Sequence, residues 1–213
     1  MPERKAQPTD GPLAHIREHA ELIEADIRLL RRLLPPDGRV LDLGAGRGSF
    51  VAAAQRRGVR AVALDLEPAA AAIWRRAGVP GLIGDGNATP FADGCFDAVR
   101  MKEIIEHLEA PLALVREARR LLRPGGIVIA HVPSPYSQLY PAGNFWDDYT
   151  HVRPFSRAGL QRLFADAGLD VTRIEAYTSG RNAVERAVGL LLARVLPHTY
   201  RVIGRRPPGE PGR

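Results

Sequence analysis

The chain has 213 residues, of which 45% are hydrophobic, and this length suits one well-cored domain rather than two. Its single cysteine, Cys95, excludes an internal disulfide and favours a reducing, cytoplasmic compartment. The polar residues 1–10 predict no signal peptide, and no stretch approaches the ~18 apolar residues of a membrane span.

The basic charge raises the question of a nucleic-acid partner. The formal net charge is +6 and the sequence pI is about 10.1, values that suit binding to a polyanion. Nearly all basic residues are arginines, since Lys5 and Lys102 are the only lysines, and they are scattered without interleaved aromatic residues. We therefore interpret them as solvated helix faces and do not favour a nucleic-acid partner, although an electrostatic role stays open.

The first segments of the chain form a lead-in and a helix. Residues 1–11, rich in proline, glycine and charge, are predicted to be disordered, and a single domain is predicted over 12–206. Apolar residues of 12–34 fall on one helical face, with arginines and glutamates opposite. His15 and His19 lie four residues apart on this helix and could bind a metal, but no third ligand is apparent, so a solvated face is favoured.

A glycine-rich turn follows the first predicted strand. The apolar run that ends at Leu43 leads into Gly44, Gly46 and Gly48 and then into a small-residue helical pattern. Glycine at such a turn lets a ligand approach the main chain closely. Asp65 ends the next apolar run, roughly the ~20 residues after the turn that suit recognition of a ribose hydroxyl. The spacing differs from that of a dinucleotide-binding loop, and a pyrophosphate fits it poorly with Asp42 just upstream.

Strand and helix patterns alternate through the middle of the chain. Strands are predicted at 39–43, 60–64, 81–84, 96–101 and 127–132, and helices at 49–57, 68–76 and about 110–122. This alternation predicts a parallel sheet covered on both faces, with right-handed crossovers. Its ligands are expected at the carboxyl ends of the strands.

The last third of the chain predicts two more strands and two more helices. Ser156 is a plausible N-cap for a helix over 157–167, and a sixth strand follows at 169–177. Residues 200–204 predict a seventh strand. An inserted helix at about 181–196 could pack on the domain, pair with a second copy as a homodimer or lie on a membrane surface. A disordered tail is predicted at 207–213.

Five short motifs occur in order between about residue 40 and residue 133. They are the glycine turn of 40–50, Leu64–Pro68, Gly84–Gly86, Phe96–Val99 followed by Ile105–Leu108, and Leu121–Gly126. Together they resemble the class I S-adenosylmethionine-dependent methyltransferases. The resemblance implies an α/β fold with a Rossmann-like, doubly wound, seven-stranded sheet. That sheet is mostly parallel with an antiparallel last strand and helices on both faces, and the cofactor is S-adenosyl-L-methionine.

The resemblance also implies which residues hold the cofactor. Asp65 is expected to bind the ribose hydroxyls and Asp85 the exocyclic amine of adenine. The glycine turn is expected beneath the methionine part, with Asp42 supporting it or meeting the amino group. The full set of expected cofactor-binding residues is Asp42, Gly44, Ala45, Gly46, Asp65, Leu66, Asp85, Gly86 and Glu103.

The methyl acceptor is expected at residues 144–155, which we call the acceptor loop. His151 could take a proton from an alcohol while Asp147 or Asp148 orients it. Two alternatives stay open: His151 could merely bond a loop carbonyl, or the three side chains could gather magnesium or manganese, although we assign no metal to the site. His107 is a second candidate base, but the Glu-His-Leu segment is common across acceptors in the family, which favours an architectural role.

The expected function is methylation of a hydroxyl, carboxyl or amine of a small molecule, sugar or lipid-linked glycan. A hydroxyl oxygen is favoured because a candidate base is present. Enzymes that methylate exocyclic amines of nucleic-acid bases typically carry an Asn/Asp-Pro-Pro-aromatic loop after the fourth strand. In this chain residues 101–104 occupy that place and lack the motif. Cys95 precedes the fourth strand and lacks the setting of a cytosine-carbon methylase nucleophile. The alternatives are a non-catalytic cofactor-binding scaffold and an RNA methyltransferase.

Overall fold

The computed structural model describes residues 12–139, 145–177 and 196–209. Helices and strands alternate through these ranges. In chain order they are α1 (Pro12–Leu33), β1 (Arg39–Leu43), α2 (Ser49–Arg56), β2 (Arg60–Asp65), α3 (Ala70–Ala77), β3 (Gly81–Ile83), β4 (Phe96–Lys102), α4 (Pro111–Leu121), β5 (Leu122–Pro133), α5 (Arg157–Asp166), β6 (Asp170–Tyr177) and β7 (Thr199–Arg205). Short 3-10 turns occupy Ile105–His107, Pro135–Leu139 and Phe145–Asp147.

The seven strands form one sheet in the order β3-β2-β1-β4-β5-β7-β6. The first five strands of that order are parallel to one another, and β7 runs antiparallel to both β5 and β6. The predicted fold class is therefore confirmed. Chain order reverses between β1 and β4, so the switch point at which ligands of such sheets bind lies at the carboxyl ends of these two strands.

Apolar side chains fill both faces of the sheet. On one face the helices α1, α2 and α3 contribute Ile27, Val51 and Trp74 to a buried cluster. On the other face α4 and α5 contribute Leu114 and Phe164. The central strands are consequently covered on both sides, and nearly every residue of β1 and β4 is buried, including the charged residues Asp42 and Arg100.

Two boundaries differ from the sequence prediction by two residues or more. β5 begins at Leu122 rather than at residue 127, because Leu122 already pairs with Phe96 before a register shift leads to the pair Ala98 and Ile127. The shift is accommodated by Gly125, whose φ of 79° is readily adopted only by glycine. Helix α3 begins at Ala70 rather than at residue 68.

Several predicted segments lie outside the described residues. They are the lead-in 1–11, nearly all of the inserted helix 181–196, and the end of the tail at 210–213. In the described ranges, no helix combines the length and the apolar composition that crossing a membrane requires.

Candidate active site

The glycine turn folds over the end of β2. The amides of Gly44 and Ala45 both donate to the carbonyl of Leu64, at 2.8 and 3.1 Å. Gly46 donates its amide to Oδ2 of Asp65 at 2.6 Å. The turn that follows β1 and the acid that ends β2 thus form one unit at the carboxyl edge of the sheet.

The three glycines of the turn have positive φ angles and different surroundings. A Cβ on Gly44 would lie 2.8 Å from Ile104, and one on Gly48 would lie 2.9 Å from Trp74. A Cβ on Gly46 would meet nothing within 4 Å. Two glycines are therefore required by packing, whereas Gly46 leaves open space beside the main chain for a ligand.

Two carboxylates and an apolar side chain lie next to this turn. Asp65 also accepts the amide of Glu67 at 2.9 Å, and Asp85, just after the neighbouring strand β3, accepts the amide of Asn87 at 2.8 Å. Each carboxylate still has lone pairs for hydroxyl or amine donors. Leu66 is 70% exposed and offers an apolar surface. This set fits the ribose and base of a nucleoside.

The remaining expected cofactor residues differ in exposure. Gly86 is half-buried against Leu43, to which a Cβ would approach within 2.9 Å. Glu103 is exposed, pairs with Lys102 at 2.6 Å and has a φ of 52°. Positive φ is uncommon outside glycine, and such residues concentrate at functional sites. Glu103, which directly follows β4, is therefore a strained position beside the turn.

Asp42 is only 2% exposed, and its Oδ1 accepts a hydrogen bond from Nη1 of Arg100 at 2.9 Å. Its buried position beneath the turn favours the expected supporting role over direct contact with a cofactor amino group.

Asp42 belongs to a group of buried and half-buried ionisable residues that we call the ion-pair network: Asp26, Asp42, Arg100, His131 and Arg201. Asp26 of α1 accepts from Nε of Arg100 at 2.8 Å and contacts Nε2 of His131 at 2.9 Å. Nη1 of Arg201 lies 3.4 Å from the same carboxylate. The network ties α1 to β1, β4, β5 and β7.

Electrostatics within the ion-pair network favour ionised Asp26. Burial alone would raise the pKa of Asp26, but His131 and Arg100 beside it outweigh burial and hold the pKa below its usual value. Burial also opposes the charge of Arg100, yet Asp42 and Asp26 raise its pKa. Burial lowers the pKa of His131, although the neighbouring carboxylate of Asp26 opposes this shift. The ring of Phe50 lies 4.5 Å from the guanidinium carbon of Arg100 and adds a cation–π contact.

The acceptor loop places His151 against the segment that follows β4. The amides of Val152 and Arg153 both lie within hydrogen-bonding distance of the Glu106 carbonyl, the first at 2.8 Å. Nδ1 of His151 contacts the carbonyl of Phe145 at 2.5 Å, and the two rings stack. The His151 ring centroid is 4.6 Å from that of His107. The orienting partner of His151 is thus a loop carbonyl, which was one of the alternatives to Asp147 and Asp148.

The carboxylates of the acceptor loop have other neighbours. Oδ1 of Asp148 accepts from the amide and the hydroxyl of Thr150, at 2.9 and 2.6 Å. Burial would raise the pKa of Asp148, but these bonds from Thr150 lower it on balance. Oγ1 of Thr150 in turn lies 2.9 Å from Nδ1 of His107, so Asp148 positions His107 through a hydroxyl. Asp147 is exposed in the same loop.

Glu106 is the functional candidate that sequence reasoning missed. It is completely buried, and burial raises its pKa to about 8. Among the described residues, neither of its carboxylate oxygens has a hydrogen-bond partner. One carboxylate oxygen of Glu106 and one ring nitrogen each of His107 and His151 lie within 4.8 Å of one another. We call these three residues the histidine cluster.

A concave surface lies at the opposite edge of the sheet. It is lined mostly by apolar residues at the amino ends of the strands, including Val40, Val59, Pro80 and Phe96. None of the expected site residues lines it. The carboxyl edge, with its open turn, carboxylates and histidines, is therefore the candidate active site.

The sheet order, the open glycine turn and the paired acids define a Rossmann-like domain for a nucleoside cofactor. A family model described as a methyltransferase domain matches residues 14–174. The chain therefore belongs to the methyltransferase domain family, whose cofactor is S-adenosylmethionine, as the sequence motifs imply.

Relatives and a solved structure agree with this assignment. The malonyl-[acyl-carrier protein] O-methyltransferase of Methylococcus capsulatus is 32% identical over 182 residues, which cover 81% of the chain and 65% of that protein. The demethylmenaquinone methyltransferase of Corynebacterium efficiens is 32% identical over 117 residues, covering 54% of the chain and 50% of that protein. The chain thus spans less than two thirds of these relatives. An S-adenosylmethionine-dependent methyltransferase from Archaeoglobus fulgidus shares the fold, with a TM-score of 0.69, 20% identity and coverage of 91% of the chain and 99% of that structure.

Proposed function

We propose that this chain transfers a methyl group from S-adenosylmethionine to a hydroxyl oxygen of a small molecule, sugar or lipid-linked acceptor. The observation that carries the proposal is the position of His151. Its Nδ1 is held by the Phe145 carbonyl, so Nε2 carries the lone pair that accepts a proton in the neutral ring. The name of the Methylococcus capsulatus relative includes O-methylation, which supports an oxygen acceptor.

Binding of the cofactor is assigned to the carboxyl edge. Asp65 and Asp85 accept hydrogen bonds from the ribose and the adenine amine, and exposed Leu66 covers the apolar face of the base. Gly46 leaves room for the methionine part. When bound, S-adenosylmethionine supplies a methyl group on a positively charged sulfur, and the protein mainly aligns donor and acceptor for in-line displacement.

The acceptor site is assigned to the surface between β4 and the acceptor loop. A Cβ on Gly44 of the turn would lie 2.8 Å from Ile104. Because Ile104 lies two residues before Glu106, the cofactor turn and the histidine cluster are neighbours. Trp146 and Tyr149 are 56% and 86% exposed, and such aromatic rings can stack on a sugar or a planar acceptor. His151 removes the hydroxyl proton, Asp148 fixes the loop through Thr150, and Asp147 stays a candidate for contact with the acceptor.

Replacement of His151 tests this proposal. We expect His151→Ala to lower turnover by about 10²- to 10⁴-fold, the usual contribution of a general base, while the affinity for S-adenosylhomocysteine is retained. The measurement is a methyl-transfer assay on a panel of hydroxylated acceptors, with calorimetry for the cofactor product. Val152→Ala in the same loop is the control and keeps turnover near wild type. Full turnover in His151→Ala would refute the assigned base.

A further inference from the structure

The histidine cluster brings three ligand-bearing side chains together from two chain segments. Glu106 and His107 belong to the 3-10 turn that follows β4, and His151 belongs to the acceptor loop that follows β5. One ligand atom from each residue lies within 4.8 Å of the other two. Two ligands at about 2.1 Å from one zinc ion lie at most about 4.2 Å apart, so small side-chain rotations bring the three into coordinating distance.

Both histidine rings have the orientation that metal ligands require. Thr150 donates its hydroxyl hydrogen to Asp148, so its oxygen accepts from Nδ1–H of His107. The carbonyl of Phe145 likewise accepts from Nδ1–H of His151. In both rings the lone pair is therefore on Nε2. Histidines that bind metals typically donate their other N–H to a carbonyl or to a hydrogen-bonded polar group in this way.

The third side chain of the cluster is an uncompensated carboxyl group. Glu106 is fully buried, and its two oxygens have no hydrogen-bond partner within the described parts of the chain. A buried polar group without a partner is costly, and it is rare unless it has a functional role. A bound cation adjacent to the carboxylate would supply the missing partner.

We propose that Glu106, His107 and His151 bind a divalent first-row transition ion, such as Zn²⁺ or Fe²⁺, with further positions open. Two imidazoles and one carboxylate form the ligand set of many catalytic zinc sites and of non-haem iron sites. Magnesium prefers oxygen ligands and is disfavoured by the two nitrogens. The structure thus assigns the ion to this cluster instead of to Asp147 and Asp148.

The inference rests on the proposed function only for the placement of the acceptor. Nε2 of His151 cannot bind an ion and accept a proton together. His151 is therefore the base in the metal-free chain, as in the proposed function, whereas in the metal-bound chain the acceptor oxygen occupies an open coordination position. Its O–H bond breaks and the proton goes to solvent water. The oxygen electron pair then forms the bond to the methyl carbon, while the carbon–sulfur pair stays on sulfur.

Titration of the metal-free full chain with Zn²⁺, Co²⁺ and Mg²⁺ tests the inference without any activity assay. We expect one Zn²⁺ or Co²⁺ per chain by calorimetry and by the visible spectrum of Co²⁺, and no saturable Mg²⁺ binding. Glu106→Gln and His151→Ala should each abolish the site. Thr150→Val, which removes only the partner of His107, should weaken binding about 10- to 100-fold.

Two control variants separate this site from ion binding elsewhere on the chain. Asp147→Asn and Val152→Ala should bind the ion like wild type, and circular dichroism and S-adenosylhomocysteine affinity show that each variant is folded. Absence of a one-to-one site, binding that survives Glu106→Gln and His151→Ala, or binding of Mg²⁺ alone would each overturn the inference. Methyl transfer by the metal-free chain would overturn only the metal's role in catalysis, and ion binding without cofactor binding would overturn only the proposed function.

Discussion

The ion-pair network and the histidine cluster differ in whether their buried carboxylates have partners. In the network, the carboxylate of Asp26 contacts Arg100, His131 and Arg201, and among the described residues only Nη2 of Arg100 lacks a hydrogen-bond partner there. In the cluster, Glu106 is equally buried but neither oxygen is paired within the described ranges.

The difference separates a structural role from a functional one. The network lies beneath the sheet edge and connects α1 to the strands, so its charges are neutralised inside the protein. The cluster lies at the end of β4, where a ligand can supply the missing charge. Fold stability should therefore depend on Asp26 far more than on Glu106.

Removal of Asp26 should have the greatest effect on stability. Asp26→Ala leaves Arg100 and Arg201 without a shared carboxylate, and breaking a buried ion pair on one side typically costs about 3–5 kcal/mol of unfolding free energy. Urea denaturation monitored by circular dichroism measures this change. Glu24→Gln is the matched control, because Glu24 lies on the same helix and pairs with Arg57 at the surface. Its cost should stay below about 1 kcal/mol, and equal losses in both variants would contradict the contrast.

The second prediction concerns the pH dependence that Glu106 imposes on the metal-free chain. Burial raises the pKa of Glu106 to about 8 in the folded state, against an ordinary glutamate value of 4.5 in the unfolded state. Between these values the folded state retains a proton that the unfolded state has lost, so stability falls as pH rises. Glu106→Gln removes this dependence. The unfolding free energy of the variant relative to wild type should increase by about 2–4 kcal/mol between pH 5 and pH 8.

Urea denaturation of both proteins in a chelator, at several pH values, measures this difference. Parallel pH profiles for Glu106→Gln and wild type would show that Glu106 is ionised in the folded metal-free state and would remove the contrast with Asp26.

A third kind of carboxylate is half-buried and held by backbone amides. Asp65 accepts from Gly46 and Glu67 and is assigned to the cofactor ribose. Asp65→Ala should weaken S-adenosylhomocysteine binding about 10- to 100-fold, or about 1.4–2.7 kcal/mol, with the domain still folded. Calorimetry and thermal denaturation give the two readouts. Asp37→Ala, at an exposed position before β1, is the control, and unchanged affinity in Asp65→Ala would remove Asp65 from the site.

Much of the fold is predictable because its signals are local. Hydrophobic residues alternate between strand spacing and helix spacing along the chain, which predicts the sheet. The apolar run before Gly44 and the acid at Asp65 then predict its functional edge. The start of β5 is harder to predict, since the glycines at 125 and 126 indicate a turn, whereas pairing between Leu122 and Phe96 extends the strand. Tertiary pairing overrides the local preference there.

The two buried sites are difficult to predict, because their partners are distant in sequence. Asp26 lies 74 residues from Arg100 and 105 from His131. The available signal is that Arg100 and His131 each stand between two apolar residues of a predicted strand, where a charge needs a partner. The local sequence around Glu106 and His107 favours an architectural role. Only the fold of the acceptor loop brings His151 next to them.

Calorimetric titration of the purified chain with S-adenosylhomocysteine and S-adenosylmethionine tests whether the carboxyl edge around the glycine turn is a cofactor site. We expect one site per chain with a micromolar dissociation constant for each compound. The same titration of Asp65→Ala should show weaker binding. Failure of the wild-type chain to bind either compound would contradict the assignment of this edge to the cofactor.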